Sequence, residues 1–274
     1  MTSPSGPHRP EPEPLPEAFY LPAGDGVFRP TRATESPWDP DTQHGGPVSA
    51  LLAHAMRRLG LEPGFLLARI TVEFLGVVPR SELRLAARVV RPGRRVRLLE
   101  AEAQARGRAV ALARVWEIAA RPGELPGSVA PASRRSIPPP QPQRFFAGLV
   151  RWGYGEAIEW RWARGAYDRP GPADVWARPR IPLVAGEPTC GLDRVLIVAD
   201  SANGVGAVLR PEEYLFVPPA VTVTLHRHPE DEWVNLRART RLSAEGIGST
   251  LAVLADRRGE LGSVTQPLLV TARR

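Results

Sequence analysis

The chain has 274 residues, of which 43% are hydrophobic and 24% are charged, and its formal net charge is +7. This length accommodates one large domain or two small ones, each able to bury its own core. No stretch approaches the ~18 consecutive apolar residues that a membrane span requires. We therefore expect a soluble protein without a membrane-spanning segment.

The positive charge does not predict a nucleic-acid-binding protein. All 36 basic residues are arginine, which indicates a preference along the whole chain and not a selected basic patch. The arginines are interleaved with acidic residues, and only residues 91–97 show a local concentration. Since the arginine fork suits phosphate groups, small acidic partners such as coenzyme A remain compatible with this composition.

The single cysteine, Cys190, excludes an intramolecular disulfide and a multi-cysteine zinc site, and it fits a reducing cytoplasm. We interpret it as a small buried side chain inside a helix. Residues 1–17 are rich in proline and glutamate and lack the apolar segment of a secretory signal. They are predicted to form a disordered tail.

The first half of the chain, residues 18–120, predicts one helix followed by four strands. Residues 45–59 place Val48, Leu51, Leu52 and Ala55 on one helical face, with Pro47 in the first turn. Alternating or nearly continuous apolar residues then predict a meander of antiparallel strands, at 68–78, 81–90, 95–105 and 109–119.

Residues 121–145 form a predicted linker, because proline, glycine and serine replace the periodic apolar residues. The second half, residues 146–274, repeats the pattern of the first. A helix is predicted over 188–204, and strands are predicted at 220–228, 233–243, 249–257 and 263–272. A shift of roughly 151 residues superposes Thr71 on Thr222, which indicates an internal repeat.

These elements predict an α+β fold made of two tandem hotdog units, in which each antiparallel sheet wraps around a central apolar helix. A lone unit leaves its sheet edges open, whereas two units can pair edges into one continuous sheet. The edges that remain open suggest further association into a homodimer or a larger homo-oligomer.

Several short motifs occur in this order along the predicted elements. They are Pro37-Trp38, His44-Gly45-Gly46-Pro47, residues 92–95, residues 199–204, residues 225–227, Glu232-Trp233 and Thr265-Gln266. Over about residues 18–272 the chain thereby resembles the acyl-CoA thioesterase II-like, or thioesterase-like, double-hotdog family. The resemblance implies hydrolysis of an acyl-CoA or carrier-bound acyl thioester by an activated water.

In that family the catalytic groups are an aspartate near the end of the second helix, a threonine or serine on the next strand and a glutamine on the last strand. Asp200 matches the first position and Gln266 the third. The middle position departs from the family, because Pro218-Pro219 precedes this strand. Thr222 substitutes for the missing hydroxyl only if the register of the strand allows it, and the sequence leaves that register open.

The residues themselves support these assignments only in part. Asp200, on a largely apolar helix, is a candidate base with a pKa raised by burial, or else a member of a helix-end cluster with Ser201 and Asn203. Gln266 is a candidate for holding the water, or else an ordinary polar residue at a sheet edge.

His44, Gly45 and Gly46 open the first helix, where backbone N–H groups gather, and we predict that they bind substrate together with Asn203 and Thr222. His54 is interpreted as structural. His226 and His228 share one face of a strand, but no third ligand is evident, so neither a metal nor a cofactor is expected. Two other functions stay open: a non-hydrolytic acyl-binding protein, and a hotdog enzyme repurposed as a dehydratase, isomerase or cyclase.

Overall fold

A computed structural model describes residues 14–61, 63–121, 123, 134–143, 145 and 151–273. Most of the predicted tail and much of the predicted linker lie outside these residues. Of the tail, residues 14–17 are described, and they pack against the protein: Leu15 contacts the core and the Pro14 carbonyl accepts a hydrogen bond from Arg32. Residues 134–143 of the linker contain neither helix nor strand.

The described residues form 13 strands, four helices and a short 3-10 turn at Arg32–Thr34. The helices are α1 (Gly45–Arg57), α2 (Gly153–Ala157), α3 (Gly191–Ala199) and α4 (Ala202–Val205). The strands are β1 (Tyr20–Pro22), β2 (Val27–Pro30), β3 (Phe65–Phe74), β4 (Leu83–Arg91), β5 (Val96–Ala105), β6 (Arg108–Ala119), β7 (Ile158–Ala166), β8 (Arg169–Pro179), β9 (Tyr214–Val217), β10 (Ala220–Leu225), β11 (Val234–Leu242), β12 (Ile247–Asp256) and β13 (Gly259–Ala272).

All 13 strands belong to one antiparallel sheet with the order β1-β2-β4-β5-β6-β3-β10-β13-β12-β11-β8-β7, and β9 pairs with the end of β13. The two halves of the chain meet where β3 pairs with β10. Thr71 and Thr222, which the repeat makes equivalent, pair with each other there, so an approximate two-fold axis passes between them. The prediction of a tandem hotdog with one continuous sheet is confirmed.

The two long helices lie side by side on the concave face of the sheet. Helix α1 packs on β4, β5 and β6, helix α3 packs on β8 and β11, and the two helices pack against each other. Both are buried along most of their length, since nearly every face meets either the sheet or the other helix. The start of α1 is thereby brought beside the end of α3.

The predicted positions of these elements are close to the observed ones, with three differences. Helix 188–204 is interrupted at Asp200 and Ser201, so it forms α3 and α4 instead of one helix. Cys190 precedes α3 and is exposed, so the interpretation as a buried residue inside a helix was wrong. Strands β1, β2, β7, β8 and β9 were not located from the sequence.

The first edge of the sheet, β1, is covered by the second half of the chain. The N–H groups of Phe19 and Tyr20 donate to the carbonyls of Pro182 and Leu183, at 3.0 and 2.9 Å. This pairing continues the sheet by a short parallel bridge, which leaves little of β1 open to another molecule.

The opposite edge, β7, is partly covered by the proline-rich segment 134–143. The Gln141 side chain accepts a hydrogen bond from the Trp162 N–H at 2.8 Å and donates to the Trp162 carbonyl at 2.9 Å. The amide side chain thus occupies the place of a neighbouring strand. Because both edges are at least partly covered in this way, open edges no longer support a homodimer or a larger homo-oligomer, and that association stays a prediction.

None of the helices among the described residues has the length and hydrophobicity of a membrane-spanning segment.

Candidate active site

A cleft of about 520 Å³ opens where the start of α1 meets the end of α3. Its floor is formed by His44, Gly45 and Asp200. Trp38, Phe74 and the segment from Val217 to Pro219 contribute to its walls. The structure therefore brings together residues that are more than 150 positions apart in the sequence.

Asp200 caps the C-terminal end of α3 and is buried. Gln266 Nε2 donates hydrogen bonds to Asp200 Oδ1 at 3.1 Å and to the Asp200 carbonyl at 3.0 Å. The amide groups of Gly45 and Gly46 also interact with the carboxylate. Ser201 and Asn203 have other partners, so the alternative of a helix-end cluster around Asp200 does not apply.

Burial raises the pKa of Asp200 from its ordinary 3.8 to about 7. The hydrogen bonds from Gln266, Gly45 and Gly46 favour the charged form and oppose this rise, but they do not cancel it. A carboxyl group with a pKa near 7 is poised to accept a proton at neutral pH, as a general base must.

The raised pKa predicts that Asp200 lowers the stability of the protein at neutral and alkaline pH. The folded state binds more protons than the unfolded state between pH 3.8 and about 7, so the free energy of unfolding falls as the pH rises through this window. The full effect is on the order of 4 kcal/mol. The side chain introduced by Asp200→Asn carries no charge, so it does not lose stability in this way. We therefore expect the free energy of unfolding of the variant minus that of the wild type to be about 2–4 kcal/mol larger at pH 8 than at pH 4.

Denaturant unfolding of both proteins from pH 4 to 9 measures this difference. Parallel stability curves for the wild type and Asp200→Asn would contradict the raised pKa.

His44 is the N-cap residue of α1, and its Nδ1 accepts a hydrogen bond from the Gly46 N–H at 3.1 Å. The same nitrogen lies 3.3 Å from Asp200 Oδ2. The imidazole ring stacks on Tyr154, with ring centroids 3.7 Å apart and an angle of 7° between the planes. Burial lowers the pKa of His44 to about 3, so the imidazole is neutral at physiological pH.

The two glycines allow α1 and α3 to approach each other. A Cβ atom on Gly45 would lie 2.7 Å from Asp200 Oδ2, and one on Gly46 would overlap the carbonyl oxygen of Ile197. A larger residue at Gly46 must displace the backbone of α3, and one at Gly45 must displace the side chains of Phe74 and Asp200.

The structure does not bring Thr222 to the cleft. Val221 and Val223 face the helices and are buried, so Thr222 points to the convex face, where its hydroxyl lies 3.1 Å from that of Thr71. Pro218 and Pro219 line the cleft instead. They offer neither a hydroxyl group nor a backbone N–H there.

Asn203 lines the cleft, as predicted for a binding residue, but its Nδ2 also donates to the carbonyl of Phe216 at 3.0 Å. This bond holds β9 against the cleft. Gln266 contacts Asp200 from behind and is not among the residues that line the cleft.

Tyr154, Phe74 and Trp38 are site residues whose roles the sequence did not reveal. Tyr154 lies on the single-turn helix α2, which has no periodic signal, and its hydroxyl lies 2.7 Å from Ser201 Oγ. Trp38 does belong to the quoted Pro37-Trp38 motif, so a signal existed for its importance but not for its place in the cleft.

No cluster of three or more His, Cys, Asp or Glu side chains suited to a metal ion occurs within the described ranges. His228 Nε2 instead accepts a hydrogen bond from the Leu67 N–H at 3.2 Å.

Solved structures with this architecture cover nearly the whole chain. A hotdog-fold protein of unknown function from Alicyclobacillus acidocaldarius has a TM-score of 0.72 and 18% identity, covering 94% of this chain and 98% of its own. Acyl-CoA thioesterase II TesB2 from Mycobacterium marinum has a TM-score of 0.65 and 17% identity, covering 93% and 95%. The tesB protein of Mycobacterium avium subsp. paratuberculosis has a TM-score of 0.64 and 15% identity, covering 92% and 95%.

Curated protein sequences give no significant match to the chain. Two family models do match: residues 34–118 match the acyl-CoA thioesterase N-terminal domain, and residues 126–270 match the acyl-CoA thioesterase C-terminal domain. Together these matches span most of the chain and both of its halves. The chain therefore belongs to the acyl-CoA thioesterase family.

Proposed function

We propose that the protein hydrolyses acyl thioesters of coenzyme A or of an acyl carrier, with Asp200 as the base that activates water. The observation that supports this most directly is the placement of Asp200. Its buried carboxyl group has a pKa raised to about 7 and reaches a cleft at the N-terminal end of a long helix. The combination supplies a proton acceptor and a positive helix end at one point.

In the proposed reaction, Asp200 takes a proton from water as the water oxygen bonds to the thioester carbonyl carbon. The carbonyl oxygen becomes negatively charged, and the positive end of the α1 dipole stabilises it. The carbon–sulfur bond then breaks as the carbonyl re-forms. Asp200 returns its proton to the thiolate sulfur, which leaves a carboxylic acid, a free thiol and the ionised base.

Gln266 acts as a positioning residue in this proposal. Its Nε2 holds the Asp200 carboxyl group in one rotamer, and its Oε1 is buried without a partner among the described residues. The amide therefore keeps a free acceptor next to the base. Pro218 and Pro219 supply neither a hydroxyl group nor an N–H to hold water, and the Pro219 carbonyl already accepts a hydrogen bond from the Phe74 N–H at 2.8 Å, so Asp200 is the group that orients the nucleophile.

The acyl group of the substrate has an apolar surface to occupy. Leu215, Val217, Pro218, Pro219 and Leu269 line one side of the cleft, and we call them the apolar wall. Leu269 is 56% exposed and lies at the rim, where an extended acyl chain would cover it. Covering such a side chain contributes roughly 1–2 kcal/mol.

We expect Leu269→Asp to lower kcat/KM for long-chain acyl-CoA about tenfold, while acetyl-CoA hydrolysis changes little. Ile247→Asp is the matched control, because Ile247 is 66% exposed, lies directly opposite Leu269 in the sheet and does not line the cleft. Equal losses for short and long esters in Leu269→Asp would argue against this place for the acyl chain.

The experiment that tests the proposed function is the release of free thiol from a panel of acyl-CoA esters by the purified wild-type protein. Release that is catalytic and that yields the free acid supports the hydrolase. Release from none of the esters would overturn it.

One observation favours a second function. Pro218-Pro219 removes the family hydroxyl from the cleft but leaves the apolar wall intact, as in a protein that binds acyl thioesters without cleaving them. Isothermal calorimetry with a non-hydrolysable acyl-CoA analogue, paired with the thiol assay, separates the two functions: binding without release supports the second.

A further inference from the structure

We propose that His44 is a catalytic residue, whose neutral Nε2–H group donates a hydrogen bond to the thioester carbonyl oxygen and stabilises the oxyanion. This inference rests on the proposed hydrolysis. It adds a hydrogen-bond donor to a cleft in which the hydroxyl group of the family site is missing. It follows from the way in which α1 begins.

The cap of α1 determines which nitrogen of His44 carries the proton. Nδ1 accepts the hydrogen bond from the Gly46 N–H, whereas its 3.3 Å contact with Asp200 Oδ2 lacks the geometry of a hydrogen bond, so we assign a lone pair and no hydrogen to Nδ1. The proton of the neutral ring must then lie on Nε2. The helix cap thereby fixes the tautomer as well as the start of the helix.

The position of the ring is fixed by Tyr154. The two rings stack nearly parallel, and the Tyr154 hydroxyl is anchored by the Ile197 carbonyl at 2.8 Å and by Ser201 Oγ at 2.7 Å. Such a ring does not reorient when the substrate binds, so its N–H is preorganised as an oxyanion donor must be.

The Nε2 atom of His44 is available to a substrate. It makes no hydrogen bond to the described residues, and it is not among the buried polar atoms sealed from solvent. His44 lines the cleft beside Asp200, so a carbonyl carbon attacked by a water on Asp200 lies within reach of the same residue.

The neighbouring donors are already engaged. The Gly45 amide interacts with the Asp200 carboxylate, the Gly46 amide is shared between that carboxylate and His44 Nδ1, and Gln266 Nε2 donates to the carboxylate as well. Pro219 has no N–H to offer. A hydrogen-bond donor without a partner in the unliganded protein does not have to break another hydrogen bond when negative charge develops on the substrate.

Neutrality suits this role, because a neutral imidazole keeps its N–H over the whole range in which Asp200 ionises. Burial holds the pKa of His44 near 3, well below the pKa of about 7 of Asp200. The donor and the base therefore do not compete for one proton.

His44→Asn tests the proposal, because asparagine is a good N-cap residue that accepts the Gly46 N–H but does not reach the position of Nε2. We expect kcat to fall about 10²–10³-fold, the scale for loss of one oxyanion donor. KM should change less than about threefold, and the apparent pKa of kcat/KM should stay near 7, since Asp200 is retained. His44→Ser, which also caps helices, provides a second variant if His44→Asn folds poorly.

A readout independent of activity is the tautomer of His44, measured from the ring ¹⁵N chemical shifts of the wild-type protein between pH 6 and 8. A proton on Nε2 is expected. A proton on Nδ1 would overturn the proposal, because Nδ1 would then donate to Asp200 and Nε2 would be an acceptor. A kcat of His44→Asn within threefold of an active wild type would also overturn it and leave His44 as a cap only; an inactive wild type would instead overturn the proposed function.

Discussion

Replacing Asp200 with asparagine is expected to lower kcat for thioester hydrolysis by at least about 100-fold, the scale for removing a general base. Asparagine has nearly the same shape and can still accept the hydrogen bond from Gln266, but it does not take a proton from water. The raised pKa predicts that the stability of Asp200→Asn relative to the wild type increases between pH 4 and pH 8, and denaturant unfolding at the assay pH shows whether the variant is folded. Thiol release from the best ester of the panel measures the effect.

Asp25→Asn is a matched control, since it removes the same charge from an exposed turn between β1 and β2 that does not line the cleft. It should leave thiol release unchanged. Activity of Asp200→Asn within tenfold of the wild type would exclude Asp200 as the base, whatever the activity of the control.

The pH profile provides a second test of Asp200. Because the ionised carboxylate is the active form and burial raises its pKa to about 7, kcat/KM should increase about tenfold for each pH unit below 6 and level off above 8. The profile of kcat reports the pKa in the substrate complex, where the loss of remaining water raises it further. A flat kcat/KM between pH 5.5 and 8.5 would contradict the assignment.

The periodicity of apolar residues predicted the main helices and eight of the strands, because the central strands and long helices are amphipathic or fully buried. The match between the two halves also predicted that two units would pair edges into one continuous sheet, but it did not identify β3 and β10 as the strands at the junction. The other five strands were not predicted. Tryptophans, arginines and prolines interrupt the alternation of β7 and β8, and β1, β2 and β9 are only three or four residues long.

Within the candidate site, the sequence predicted the individual residue that is proposed as the base but not the contacts between distant residues. Asp200 stands at the end of an apolar helix, which is visible in the sequence. Its contacts with His44 and Gln266 join residues from three distant elements, and no periodicity reports such distances. Thr222 was misplaced for a related reason: the register of β10 depends on which valines face the helices, and this is fixed by the sheet and not by the strand alone.

Replacing Gly46 with alanine is expected to destabilise the protein by about 1–3 kcal/mol and to lower kcat at least tenfold. The added methyl group would overlap the carbonyl oxygen of Ile197, which belongs to the backbone of α3 and cannot rotate away. Helices α1 and α3 must therefore separate, and the distance between His44 and Asp200 must change with them. Alanine has a higher helix propensity than glycine, so a loss of stability cannot come from the helix itself.

Gly76→Ala is the matched control for stability only: a Cβ atom there meets no other atom within 4 Å and the backbone adopts an ordinary conformation, but Gly76 itself lines the cleft. Its free energy of unfolding should change by less than about 0.5 kcal/mol. Denaturant unfolding and thiol release of both variants decide the question. If Gly46→Ala were as stable as Gly76→Ala and as active as the wild type, the close contact between the two helices would not be what positions the base, and the site would have to be held by Gln266 alone.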